Sequence, residues 1–203
     1  QGWDTRDEEI FRKLNVGSGG KAEIGDDWDY NWTKRDIDTS GFLTLGAKLS
    51  NDHRFDTTTL YIHNTSDTAR RDIGFVDDED STMLQETLSW EERELFFQQL
   101  SGEHGFDTPI PFNVDWQFSY GESQWHVPDE RMSNFFVEED GLEWALFAGF
   151  GQDTRNWKEL DDNSRDFSVD FTFPVQQNFL KDISLQTGYK LTDRERWSRI
   201  RRF

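Results

Sequence analysis

Apolar and polar residues alternate along much of this 203-residue chain with a period of two. Phe167, Val169, Phe171, Phe173 and Val175 are separated by Ser168, Asp170, Thr172 and Pro174. Past the polar residues 176–178 the rhythm resumes. Ile183, Leu185, Thr187, Tyr189 and Leu191 are separated by Ser184, Gln186, Gly188 and Lys190. Successive side chains of a strand point to opposite faces, so each run carries one apolar and one polar face. Two such runs across a short polar turn predict an antiparallel hairpin.

The same rhythm recurs upstream. Trp28, Tyr30 and Trp32 alternate with Asp29 and Asn31, and Leu43, Leu45, Ala47 and Leu49 with Thr44, Gly46 and Lys48. Past a turn at 51–53, Thr58, Leu60 and Ile62 alternate with Thr59, Tyr61 and His63. Residues 82–105 read as a further long strand, in which consecutive Leu95, Phe96 and Phe97 imply a bulge or two half-buried faces. Phe112, Val114, Trp116, Phe118 and Tyr120 alternate with Asn113, Asp115, Gln117, Ser119 and Gly121. Residues 127–152 read as a long insertion with a local apolar cluster (Trp144, Leu146, Phe147, Phe150). Residues 153–175 and 181–203 are the last two of about six long strands.

Residues 1–25 are the least patterned. A capping-box signature from Thr5 to Glu8 would start one or two helical turns; an irregular, external loop fits equally well. The acidic run from Asp77 to Asp80 reads as a loop tip.

The connections near 51–53, 107–110 and 176–180 are short, while those near 76–81 and 127–152 lie at the opposite end. Each clear strand has its apolar alternation beside a short turn and its charged half away from it. An apolar band of about 9–10 residues at a 45° tilt spans roughly 22–25 Å, the height of the band on an outer-membrane barrel. The expected fold is therefore all-β: an antiparallel, up-and-down segment of a transmembrane barrel over 26–203, with extended extracellular hairpins.

In this frame the lipid-facing residues are Leu43, Leu45, Leu49, Leu60, Ile62, Val114, Trp116, Phe118, Phe167, Val169, Phe171, Phe173, Ile183, Leu185, Tyr189 and Leu191. The lumen-facing ones are Asp115, Gln117, Asp170, Gln186 and Lys190. Asp56 shares its alternation with Leu60 and Ile62, which would place a charge on the lipid side beside a turn, at a cost of about 0–1 kcal/mol.

Composition narrows the partners. Net charge is −19, from 22 basic and 41 acidic residues, so nucleic acid is a poor partner and anionic lipid no electrostatic dock. Mean hydropathy is −0.89, yet aromatics make up 15%; disordered chains lack aromatics. The absence of cysteine removes thiol chemistry and cysteine-ligated zinc.

Several stretches resemble the β-barrel of TonB-dependent outer-membrane receptors of Gram-negative bacteria. They are WEERELFFQQLSGEH at 90–104, GFLTLGAKL at 41–49 followed by TTLYIH at 58–63, VDWQFSY at 114–120 leading into VPDE at 127–130, and DFSVDFTFP at 166–174 with RIRRF at 199–203. The resemblance spans about 25–203. It implies a 22-stranded barrel holding an N-terminal plug, TonB as energy relay through that plug, and a small nutrient cargo of siderophore, cobalamin or carbohydrate type. It implies neither cofactor nor enzymatic activity. No plug is recognisable here, and six strands cannot close a barrel. The expectation is a contiguous part of a longer receptor in the bacterial outer membrane.

The remaining candidates are weaker. His53, His63, His104 and His126 lack metal-ligand spacing. The acidic runs at 77–80 and 161–162 lack the calcium-loop pattern. Trp125, Trp144, Phe147 and Trp157 could stack on a ligand, although packing among loops suits them better. Arg194, Arg196, Arg199, Arg201 and Arg202 are expected to pair with acidic neighbours. The rival to a transport barrel is a secreted, soluble β-sandwich that binds glycans through exposed Trp.

Overall fold

The computed structural model describes residues 2–16, 22–76, 80–138, 141–144, 153–177 and 180–203. Its elements are strands throughout: β1 (Gly2–Val16), β2 (Ala22–Lys48), β3 (His53–Val76), β4 (Ser81–Phe106), β5 (Phe112–Glu138), β6 (Gly141–Trp144), β7 (Thr154–Gln177) and β8 (Leu180–Arg202). They form one antiparallel sheet in the order β1-β2-β3-β4-β5-β7-β8, with the short β6 pairing β5 off this path. The predicted all-β, up-and-down arrangement is present, and the six predicted long strands are β2, β3, β4, β5, β7 and β8.

The segment expected to be irregular or briefly helical is a strand. β1 pairs with β2 from Gly2 opposite Ile37 to Val16 opposite Ala22, with one register shift between Arg12 and Leu14. Cross-strand ion pairs fix its register: Arg35–Asp4 at 2.8 Å, Arg12–Asp27 at 3.1 Å and Lys13–Asp26 at 3.2 Å. Each exposed pair adds little stability, but a slip of one residue would break them all. The capping signature at Thr5 yields to this pairing, because a marginal helical turn gains less than a complete ladder of backbone hydrogen bonds.

The expected insertion at 127–152 is also largely strand, since β5 runs unbroken to Glu138. The alternation that marks its lower half is interrupted by one extra residue in β5 near 128–129, which shifts its register against both β4 and β7. This bulge turns the following side chains to the other face, which hides the strand from a period-two reading. The side chain of Trp144, with Leu146, Phe147 and Phe150, lies outside the described residues, as do 77–79 of the acidic run and 178–179 of the last turn.

The register sorts side chains into two faces, because directly opposed residues share a face. One row runs Leu45–Thr57–Leu100–Phe118–Phe167–Leu191 and the next Ala47–Phe55–Gly102–Trp116–Val169–Tyr189. This is the apolar face. The adjacent rows belong to the other face: Lys48–Arg54–Glu103–Asp115–Asp170–Gly188, and Gly46–Asp56–Ser101–Gln117–Ser168–Lys190.

This sorting corrects one assignment. Leu60 opposes Phe42 and Phe97, and Ile62 opposes Ser40 and Leu95, all on the polar face. Leu60 and Ile62 therefore do not share a side with Leu43, Leu45, Val114 or Phe167. Phe55, Thr57, Thr59 and Tyr61 take that side on β3. Asp56 is thereby relieved of its expected lipid exposure, and its carboxylate pairs with Arg54 at 2.7 Å. Leu49 lies beyond the end of β2, in the turn, where its N–H donates to the His53 carbonyl at 3.0 Å. The run Leu95, Phe96, Phe97 contains no bulge; all three are half-buried, with Phe96 on one face and its neighbours on the other.

The strands are long. β2 and β5 have 27 residues each, about 90 Å at 3.3 Å per residue, several times the usual strand. Their distal ends carry a small core of Val76 and Met83 packed by Trp28 and Phe136. Gly74 makes this possible, because the Trp28 ring lies directly over it: a Cβ there would sit 2.6 Å from the indole.

Candidate ligand-binding surface

At the short-turn end the two faces differ in charge. On the polar face stand Lys48, Arg54, Asp56, Glu103, Asp115, Asp170 and Lys190. On the apolar face, the described strand positions from Leu43 to Leu191 in the same rows carry no Asp, Glu, Lys or Arg below the row of Leu43 and Tyr120. The apolar side chains there are uncovered: Leu43 is 54% exposed, Leu185 62% and Tyr189 59%.

Polar groups on the apolar face satisfy one another. Thr59 donates to Gln98 Oε1 at 2.6 Å, Gln98 donates to Thr57 Oγ1 at 2.7 Å, and Thr57 donates to the Gln99 carbonyl at 3.2 Å. Nearer the turns, the Trp116 indole N–H donates to His104 Nε2 at 3.0 Å, and His104 Nδ1 meets His53 Nδ1 at 3.2 Å. Accepting from Trp116 leaves His104 with its proton on Nδ1, which then donates to His53. Phe55 packs edge-on against His104, and Phe106, Phe112 and Phe173 continue the row as stacked rings. Such internal pairing is what a low-dielectric surrounding demands of polar groups.

The polar face holds the second feature. Trp28, Tyr30 and Trp32 follow one another at alternate positions of β2 and, being even-numbered, point opposite to Leu43 and Leu45 on the same unbroken strand. Trp28 and Tyr30 lie nearly parallel, 12° apart with centroids at 6.3 Å, and Phe11 of β1 adjoins Tyr30 at 6.4 Å. The Arg70 guanidinium sits 4.8 Å over the Tyr30 ring and is held by Asp72 at 2.7 Å, a carboxylate that is 2% exposed. Burial, and then the nearby Asp72 charge, raise the Tyr30 pKa, so its hydroxyl remains a donor.

Trp32 and Tyr30 floor an open depression of about 460 Å³ walled by Glu9, Lys34, Thr68 and Arg70. Lys34 and Thr68 also border a polar trough of about 570 Å³, which descends past Asp36, Asn64 and Arg93 to Ile62. The two form one path from the distal arms towards the apolar band. Lys34 is paired with Asp36 at 3.1 Å; Arg93 is paired with Glu91, and Asn64 bonds Asp38.

No protein-family model matches this sequence, and no curated protein is significantly similar to it.

The remaining sequence candidates fall as follows. Asp115, Gln117, Asp170, Gln186 and Lys190 share the polar face, with Asp115 directly opposite Asp170. Trp125 donates to Glu91 at 2.8 Å, and Trp157 packs edge-on against Phe203 under Arg155, so both are engaged within the sheet. Arg196 pairs with Asp162. Asp129, clamped by Arg155 and Arg131, has its pKa driven well below the usual carboxylate value by those hydrogen bonds. His126 lies 4.0 Å from both Glu92 and Glu159, on the apolar-face side above the band. Among the described residues no three such side chains converge as a metal centre requires.

The aromatic ladder is the element that sequence reasoning passed over as mere strand. Parity along β2 would have found it: the Trp and Tyr positions are even and the Leu positions odd on a strand without interruption.

Proposed function

We propose that this chain is part of the wall of a transmembrane β-barrel in the bacterial outer membrane, in a nutrient receptor of the TonB-dependent kind. The observation that carries this reading is the complete separation of charge in the rows beside the short turns. One face is charged, the other uncharged, uncovered and internally hydrogen-bonded.

The stagger of the turns adds support. Along β4, the β2–β3 turn is level with Glu103 and the β4–β5 turn with Phe106, three residues further on. Three residues are about 10 Å along a strand, and two strand spacings about 9.6 Å across it. If the turns lie in one plane, the strands cross that plane at about 45°, the tilt of closed barrels. The β7–β8 turn steps on in the same sense, past Val175.

In this reading the apolar face meets lipid, and the polar face lines the lumen with Asp115, Gln117, Asp170, Gln186 and Lys190. The distal halves of the strands stand above the membrane, where cargo first binds. Energised movement of a plug through TonB would then open the path along the polar wall. The edge strands β1 and β8 run in the same direction, because five strands of alternating direction separate them on the path. Closing an all-antiparallel barrel therefore takes an odd number of further strands. A secreted glycan-binding sandwich, the rival, would need a second sheet over the apolar face.

Expression of the complete reading frame in a Gram-negative host, followed by fractionation, tests the proposal. The protein is expected in the outer membrane and extractable only with detergent. A monomer that stays soluble without detergent would sink the barrel.

A further inference from the structure

We infer that the depression floored by Trp32 and Tyr30 is a binding subsite for a neutral saccharide at the outer mouth of the lumen. The inference takes its setting from the barrel reading and names the cargo class met first.

The chemistry follows from the neighbours. Tyr30 is already covered by Arg70, so Trp32 is the ring left to take a ligand. A flat indole beside polar groups suits a pyranose, which shows C–H bonds on one face and hydroxyls at its edge. The edge groups here supply both donors and acceptors: Lys34 and Arg70 donate, Glu9 accepts, and the Thr68 hydroxyl does either. A sugar hydroxyl both donates and accepts, so it can accept from Lys34 or Arg70 while donating to Glu9 or Thr68.

Charge decides against the other classes. The two cations are each paired with a carboxylate, and Asp7 and Glu9 of β1 oppose Trp32 and Tyr30 without a cation in their rows other than Arg70. The local sum is negative, which disfavours an anionic catechol or phosphate. A cationic ligand would approach a platform already occupied by Arg70 and be repelled by it.

The test is calorimetric titration of the complete, detergent-solubilised protein with maltohexaose, cellohexaose and xylohexaose. At least one sugar is expected to bind at submillimolar concentration. Trp32→Ala is expected to weaken it about tenfold, the equivalent of one lost aromatic contact, while Trp32→Phe retains most of the affinity. Trp197→Ala, on the opposite face, is expected to change nothing. 2,3-Dihydroxybenzoate and choline are expected not to compete. Absence of binding by all three sugars at millimolar concentration overturns the inference, as does an unchanged affinity in Trp32→Ala or competition by either charged ligand. A protein that fractionates with the outer membrane yet binds no sugar loses this subsite and keeps the barrel.

Discussion

Thr59→Arg is expected to cost the inserted protein about 2–4 kcal/mol, whereas Thr58→Arg costs about 0–1 kcal/mol. The two residues are adjacent and identical, so helix or strand propensity and side-chain size cancel between them. Only the face differs. Thr59 stands between Thr57 and Tyr61 on the apolar face of β3, opposite the uncharged Leu43 and Gln98. Its hydroxyl donates to Gln98 within that face. An arginine there would place a guanidinium in hydrocarbon and leave Gln98 short of a partner. Thr58 stands opposite Thr44, with hydroxyl oxygens 3.3 Å apart, and Gln99, on the face whose next row holds Asp56 and Lys190. The yield of protease-resistant protein in isolated outer membranes reads the difference. Equal losses in both variants would mean that neither face meets lipid.

Gly74→Ala is expected to destabilise the distal arms by about 1–3 kcal/mol, the usual cost of forcing extra volume into a filled site. A Cβ at position 74 would collide with the Asp27 carbonyl oxygen and would lie 2.6 and 2.7 Å from two atoms of the Trp28 ring. The carbonyl belongs to the neighbouring strand and cannot rotate away, so β2 and β3 must separate locally. Trp28 would leave the small core with Val76 and Met83, and the ladder through Tyr30 would loosen with it. Limited proteolysis should therefore cut the arms faster while membrane insertion is unchanged. Gly41→Ala is the matching control, because nothing lies within 4 Å of a Cβ there. Unchanged proteolysis of Gly74→Ala would contradict the placement of Trp28.

Much of the fold was legible because period-two alternation is a local property. The hairpin of β7 and β8, the run from Phe112 to Tyr120 and the polar set of Asp115, Asp170 and Lys190 follow from it directly. What failed was the relation between strands. Thr57, Thr58 and Thr59 give no local sign of which face they take, so Leu60 and Ile62 looked like the apolar side of β3. The backbone register with β2 and β4 reverses this, and it also removes the awkward charge at Asp56. β1 was missed because its stability lies in partners on β2: Asp4 needs Arg35 and Arg12 needs Asp27, contacts invisible to a window of neighbouring residues. The distal half of β5 was missed because a bulge switches its parity. The aromatic ladder was visible as residues but not as a site, since a site requires the knowledge that Trp32, Arg70 and Glu9 stand side by side.

These 203 residues hold no cysteine, so single cysteines can be placed among them and read against the complete protein without the added cysteine. Val114→Cys, Asp115→Cys, Trp116→Cys, Gln117→Cys and Phe118→Cys, each in the complete protein in native membranes, are treated with a charged maleimide. The account predicts labelling at 115 and 117 and protection at 114, 116 and 118. Even labelling along the five positions, or labelling at the even ones, would contradict a wall with lipid on one side and water on the other.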